Sequence, residues 1–318
     1  MSVRVSNLKL KTQNSKFKTH RRCITMPQIR PPLPPHLKKR LPLGGEGTRV
    51  RSLIHGNGLH TVCESAKCPN IHECWAKGTA TFMILGDQCT RRCTFCSVPK
   101  GTTLPVDMSE AERVADVAAA LKLRHVVVTS VNRDDLEDGG AALFAACIRE
   151  LRRRIPQVVV EILTPDFQGR RASLEIALVE RPEIFNHNVE TVPRLYPPVR
   201  PGANYKQSLQ VLAEAKEICS GVKTKSGLMV GLGERRAEIE DVLRDLRGSD
   251  VDFLTIGQYL APTPQHHPIR EFVAPQVFRE FEEFAYGLGF EYVASGPFVR
   301  SSYMAEAALE HARVEGKN

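Results

Sequence analysis

No aspartate or glutamate occurs in the first 45 residues, which hold 11 lysines and arginines; the first acid is Glu46. The formal net charge of +8 therefore belongs to this lead-in, and the rest of the chain carries 33 basic against 36 acidic residues. A basic surface of the kind that binds nucleic acid is excluded for the body on that balance. No run of about 18 apolar residues occurs, so no membrane-spanning helix is expected. The N-terminus has no central apolar segment, so no secretory signal is expected, and the cytoplasm is the default compartment. "GLGE" at 231–234 follows an apolar run but lacks the remaining glycine of G-x-G-x-x-G, which argues against a dinucleotide fold. Two cysteine triplets are present, and neither has the fourth cysteine of a closed structural metal site.

Residues 1–45 read as a solvated basic tail followed by a Pro-rich linker, "PQIRPPLPPHLKKRLP", that should be extended. The same acid-free, Ser/Thr-containing composition suits an organelle-targeting segment, or a true start at Met26. Six of the nine cysteines lie between Cys63 and Cys96. Without a secretory signal, metal or redox use is the better reading than disulfides. Cys147 and Cys219 fall in helical patterns and read as inert core thiols.

From residue 80 a regular alternation begins. "ATFMILG", "HVVVTSV", "VVVEILTP", "EIFNHNVE", "SGLMVGL" and "DFLTIGQYL" are short β-rich runs separated by helical patterns. One helix is expected to open at Ser109, with Glu112 completing a capping box. A second carries Ile239, Val242, Leu243 and Leu246 at helical spacing. A third, residues 141–155, ends in a basic turn that suits the helix dipole. Six strand–helix units in series give an α/β fold with a parallel sheet, either an open doubly wound sheet or, as favoured here, a partial (β/α)6 TIM-like barrel. The expected organisation is a tail and linker (1–45), an N-terminal cysteine-bearing extension (46–79), the partial barrel (80–290) and a C-terminal lid segment (291–318). In such barrels chemistry sits at the carboxyl ends of the strands.

The second triplet, Cys89-x3-Cys93-x2-Cys96, directly follows the first strand. No histidine lies nearby, so three thiolates holding a [4Fe-4S] cluster with one open iron fit it better than zinc. The first triplet, Cys63-x4-Cys68-x5-Cys74, admits either a cluster or a zinc ion with His72 as fourth ligand.

"CTRRCTFC", with Phe95 as its aromatic, resembles the signature of the radical S-adenosylmethionine superfamily. The resemblance narrows further: "CESAKCPNIHECW", "TSVNRDDLEDGG", "HNVETVPRLYPPVRPGANYKQSL", "KSGLMVGLGE", "IGQYLAPT" and the late "RSSY" are similar, in order, to the motifs of the lipoyl synthase family, over about residues 35–305. Two departures are Asn132 where Asp is expected and His72 where Gly is expected. The resemblance implies two [4Fe-4S] clusters and S-adenosylmethionine as cofactors. Cys89, Cys93 and Cys96 would hold the cluster whose open iron binds S-adenosylmethionine. Reductive cleavage there gives a 5′-deoxyadenosyl radical that abstracts hydrogen. Cys63, Cys68, Cys74 and Ser302 would hold an auxiliary cluster that is consumed as the sulfur source. Phe95 would pack near the adenine, and Ser130, Asn188 and Glu190 would meet the cofactor at the strand ends. Arg194 and Arg200 are candidates for its carboxylate or a substrate carbonyl; His266 and His267 receive no catalytic step. The implied reaction inserts two sulfur atoms, at carbons 6 and 8 of an octanoyl chain on a lysine of a lipoyl-carrier domain, with flavodoxin or ferredoxin as electron donor. Competing readings are a radical methylthiotransferase and a non-enzymatic iron–sulfur electron carrier.

Overall fold

The computed structural model describes residues 32–38, 46–76 and 81–302. Most of the basic tail, with Cys23 and Met26, and Tyr303 of "RSSY" lie outside the described residues.

One eight-stranded sheet organises the chain, in the sequential order β1 (His60–Thr61), β2 (Thr81–Ile84), β3 (His125–Ser130), β4 (Val159–Leu163), β5 (Ile184–Asn186), β6 (Lys223–Val230), β7 (Phe253–Gln258) and β8 (Tyr292–Gly296). From β2 onward every neighbour is parallel; β1 pairs antiparallel with β2. The sheet runs from β1 to β8 without closing, a partial barrel. All six expected strand runs are strands. Parallel neighbours need helical crossovers, which cover the outer face, so the strands are buried on both sides and read as near-continuous apolar runs. All six residues of β7 are buried.

The helix Ala141–Arg154 buries Leu143, Phe144, Cys147, Ile148 and Leu151 and ends in three arginines. The helix Arg236–Gly248 buries Ile239, Val242, Leu243 and Leu246, as their spacing requires. The capping box at Ser109 does not form. Ser109 already has helical dihedrals (φ −72°, ψ −11°), which point its hydroxyl away from the first-turn amides. That hydroxyl donates to Asp107 Oδ1 (2.6 Å), which also accepts from the Ser109 amide (3.0 Å), so the capping carboxylate sits upstream.

The barrel interior holds a charge pair. Glu161 on β4 accepts from Lys225 Nζ on β6 at 3.0 and 3.1 Å and from Asn186 Nδ2 on β5 at 2.8 Å; all three are buried. Burial alone would raise the Glu161 carboxyl, but Lys225 and His125 beside it hold it down, to about 2. At the next residue the chain changes face: His187 contacts the Thr164 carbonyl (2.9 Å) and Ser208 (3.0 Å) of the helix Tyr205–Ile218. Asn188 then points back toward the rim, as strand alternation dictates.

Candidate functional site

The second triplet and the expected cofactor contacts lie at or beyond the carboxyl ends of β2, β3 and β5. Cys89, Cys93 and Cys96 lie on the loop after β2, all as free thiols. Backbone bonds anchor this loop: Cys89 N to Pro99 O (2.9 Å), Thr90 N to Asn132 O (3.1 Å) and Thr94 N to Val199 O (2.9 Å). Inside the C-x3-C spacing, Arg91 is buried. Its guanidinium donates to both oxygens of Asp166 (2.6 and 2.7 Å) and both oxygens of Asp134 (2.7 and 2.9 Å), on the loops after β4 and β3. Such paired charge-assisted bonds fix geometry as well as add energy.

Burial pushes the Cys93 thiol up to about 11; Arg200 pulls the other way, while Cys96, Glu190 and Cys89 add to the rise. Cys96 is likewise raised by burial, against Lys100. The three thiols therefore feel one another, and a metal's positive charge is what would hold them as thiolates. A cavity of about 460 Å³ opens over Cys93 and Cys96, lined also by Arg92, Thr94, Lys100, Gln265 and His266.

The rim around this loop has unmet hydrogen-bonding capacity. Ser130 Oγ at the end of β3, Asn132 Oδ1 just beyond it and Asn188 Oδ1 beyond β5 are buried without a partner among the described residues. Buried polar atoms rarely stay unpaired without a role. Glu190 adopts a left-handed conformation (φ 66°), strain of a kind that clusters at functional sites. Burial raises its carboxyl, opposed by Arg200 and by a hydrogen bond from Asn188. Arg200 donates to Asn188 O (3.0 Å) and stacks on the Tyr196 ring at 5.6 Å. Phe95 packs against the core. These residues converge; Arg194 does not, being tied at the surface to Glu238 (2.7 Å) and Gly233 O (2.8 Å). His266 Nε2 lies 3.2 Å from Cys96 O and His267 Nε2 3.1 Å from Leu232 O, both supporting loops.

The first triplet lies beside β2. Cys63 is buried in the short helix Val62–Ser65, and burial pushes its thiol up to about 11, partly offset by a hydrogen bond from the Thr81 amide. The Thr81 hydroxyl donates to Ser302 Oγ at 2.9 Å, so the C-terminal segment, more than 220 residues away in sequence, reaches Cys63 through one shared neighbour. Asn70, between Cys68 and Cys74, donates to Phe298 O (2.7 Å). Arg300 is lowered by burial, with Cys68 opposing, which places the guanidinium within electrostatic reach of that thiol. His72 is exposed on the helix Ile71–Ala76. Among the described residues no three His, Cys, Asp or Glu side chains close on a point as a lone metal ion requires; a four-iron cube takes one thiolate per corner and spaces its ligands more widely. Soft, buried or partly buried thiols, several of them close enough to shift one another, with an oxygen donor at the edge fit such clusters.

Sequence reasoning passed over Thr81, Arg91, Asn70 and Ser301. Arg91 had a signal, a cation inside a metal loop with DD and D-F motifs downstream; the others had none before folding.

A profile of the Radical SAM superfamily matches residues 83–246. The fold is shared with methylornithine synthase (TM-score 0.53, 13% identity, 87% of this chain and 94% of that one). It is also shared with SuiB of Streptococcus suis bound to S-adenosylmethionine (TM-score 0.53, 14% identity, 71% and 54%). The chain is thus a radical S-adenosylmethionine protein. Among curated relatives, lipoyl synthase of Methylococcus capsulatus is 55% identical, over 86% of this chain and 85% of that one. Lipoyl synthase of Caldicellulosiruptor bescii is 52% identical, over 86% and 94%. The chain belongs to the lipoyl synthase family, and the methylthiotransferase reading is not favoured.

Proposed function

We infer that this chain is a sulfur-inserting transferase, a lipoyl synthase, with its two chemistries divided between the two triplets. It places two sulfur atoms on carbons 6 and 8 of an octanoyl chain carried by a lipoyl-carrier protein. Cys89, Cys93 and Cys96 hold one [4Fe-4S] cluster; Cys63, Cys68, Cys74 and Ser302 hold the other, which serves as the sulfur substrate. When bound, the first cluster and S-adenosylmethionine supply the one-electron cleavage that starts hydrogen abstraction. The protein's own task is to bind, orient and exclude water.

Asn188 Oδ1 and Ser130 Oγ accept from the cofactor's N–H and O–H groups, and Asn188 stays aimed because its Nδ2 is held elsewhere. Glu190 faces the same space, its charge balanced by Arg200. Phe95 gives the adenine an apolar neighbour. His187, whose burial, with Arg200 adding, holds it down to about 4, stays neutral and adds no second cation behind Arg200. An external one-electron carrier of the flavodoxin or ferredoxin kind supplies the electron. Among the described residues no helix is long and apolar enough to cross a membrane. A reducing compartment, the cytoplasm, suits the eight described free thiols.

The observation that carries the division is Thr81 lying between Cys63 and Ser302. A hydroxyl is a poor ligand for a soft metal, which suits a cluster that must come apart. The test is mass spectrometry of an octanoyl-lysyl peptide after anaerobic incubation with reductant and S-adenosylmethionine. Wild type should add two sulfurs, and Ser302→Ala should release 5′-deoxyadenosine yet add few. Full lipoyl formation by Ser302→Ala would overturn the ligand assignment.

A further inference from the structure

The strap after β8 grips both sites with consecutive side chains. Ser301 Oγ accepts from Asn188 Nδ2 at 2.5 Å, on the cofactor side. Ser302 Oγ accepts from Thr81 at 2.9 Å, on the auxiliary side. Gly227 makes the first contact possible. A Cβ there would stand 2.4 Å from Thr255 Oγ1, 3.0 Å from Asn188 Oδ1 and 3.3 Å from Ser301 Oγ, so a side chain on β6 would force the three apart.

The Asn188 amide is used on one edge only. Nδ2 serves Ser301 and Glu190 (3.2 Å), whereas Oδ1 is buried without a partner among the described residues. An amide is planar, so a donor that engages Oδ1 also fixes where Nδ2 points. Occupation of the cofactor side therefore stiffens the grip on Ser301, and one peptide unit, at most about 3.6 Å, carries that restraint to Ser302.

We propose that Ser301 is a positioning residue that couples occupation of the S-adenosylmethionine site, through Asn188, to the hold of Ser302 on the auxiliary cluster. This rests on Ser302 being the fourth auxiliary ligand. Coupling of this kind is reciprocal: cofactor binding secures the oxygen ligand, and a held ligand favours the cofactor. One hydrogen bond's worth of coupling amounts to about a 3–10-fold effect.

The test uses the anaerobic holoenzyme with both clusters loaded, verified by iron and sulfide content. The readout is the rate of the first iron released to a ferrous chelator, with and without S-adenosylmethionine and with no reductant, so that no turnover occurs. Wild type should release it about 3–10-fold more slowly with the cofactor. Ser301→Ala should lose that protection, and Ser301→Thr, which keeps the hydroxyl, should regain part of it. Full protection in Ser301→Ala, with Ser302→Ala losing iron faster than wild type, would overturn the coupling alone. Wild-type iron retention in Ser302→Ala would overturn the ligand assignment and the coupling with it.

Discussion

The barrel carries buried polar groups at two levels, and only the inner one is organised around a paired charge. Inside, Glu161 is met by Lys225 and Asn186, with His125 beside it, while Asn186 Oδ1 and His125 Nε2 have no further partner among the described residues. At the rim, Ser130, Asn132 and Asn188 each keep a buried oxygen without a hydrogen-bond partner among the described residues. The rim groups sit at the ends of β3 and β5, two of the four strands that build the inner level. A paired group serves the fold; an unpaired one at a strand's carboxyl end is capacity kept for a ligand. The two levels should therefore respond differently to the same kind of deletion.

The largest effects lie at the rim. Cys93→Ala should abolish release of 5′-deoxyadenosine while the protein stays folded, because the loop is anchored by Arg91 and by backbone bonds. Cys68→Ala should still release it and insert no sulfur. If folded Cys68→Ala, with its other cluster intact, gave no 5′-deoxyadenosine, the two triplets would not be separate sites. Below the rim the loss moves from chemistry to stability. Glu161→Ala strands a buried ammonium and should cost about 3–5 kcal/mol in denaturant unfolding, whereas Glu161→Met with Lys225→Met together should be far milder. An equal cost for the single and double changes would mean that the pair's charges are not what matters.

Acid titration gives an intermediate effect. His187 is held near 4 in the fold against 6.5 ordinarily, so the unfolded chain takes up its proton first as pH falls. Its contribution, about 3 kcal/mol, is full above pH 6.5 and is lost progressively down to about pH 4. Glu161, depressed to about 2, loses its share only lower, below about 4.5. His187→Gln should flatten the pH 6.5–4 limb of the stability profile; an unchanged limb would place the titration elsewhere. The smallest effect sharpens the contrast most. Ser130→Ala removes an unpaired hydroxyl and should shift stability by no more than about 0.5 kcal/mol. It should still weaken S-adenosylmethionine about 3–10-fold, the loss of one hydrogen bond. A cost above 1 kcal/mol to the fold would show that Ser130 is structural.

Much of this was legible in the residues. The six parallel strands announced themselves because helices cover their outer face and leave unbroken apolar runs. β1 was not legible, since two residues carry no period, and β8 was not, because "YVASG" ends in small residues that the strap packs against. The strap packs on β7 too: a Cβ at Gly257 would meet Val299 O at 2.1 Å. The Ser109 cap failed because a nearby aspartate competed, which sequence spacing does not weigh. Cluster spacings are local and could be read; the path from Thr81 to Ser302 is a product of folding and could not. A glutamate in "VVVEILTP" and a lysine opening "KSGLMV" were visible as charges in apolar strands, but only the register between β4, β5 and β6 shows that they meet.

The Arg91 anchorage bears on how the enzyme is assembled. The bonds that shape the Cys89–Cys96 loop run mainly through groups other than sulfur: Arg91 is held by Asp134 and Asp166, and loop amides by the carbonyls of Pro99, Asn132 and Val199. In a zinc finger the metal must drive the folding of its own ligands. Here the ordering cost is met by the barrel, so iron and sulfide would enter a finished socket, and maturation would be a filling step and not a folding one. Disabling that anchorage with Arg91→Ala would turn iron into a folding partner, and newly made chains would then compete with proteolysis for their first cluster.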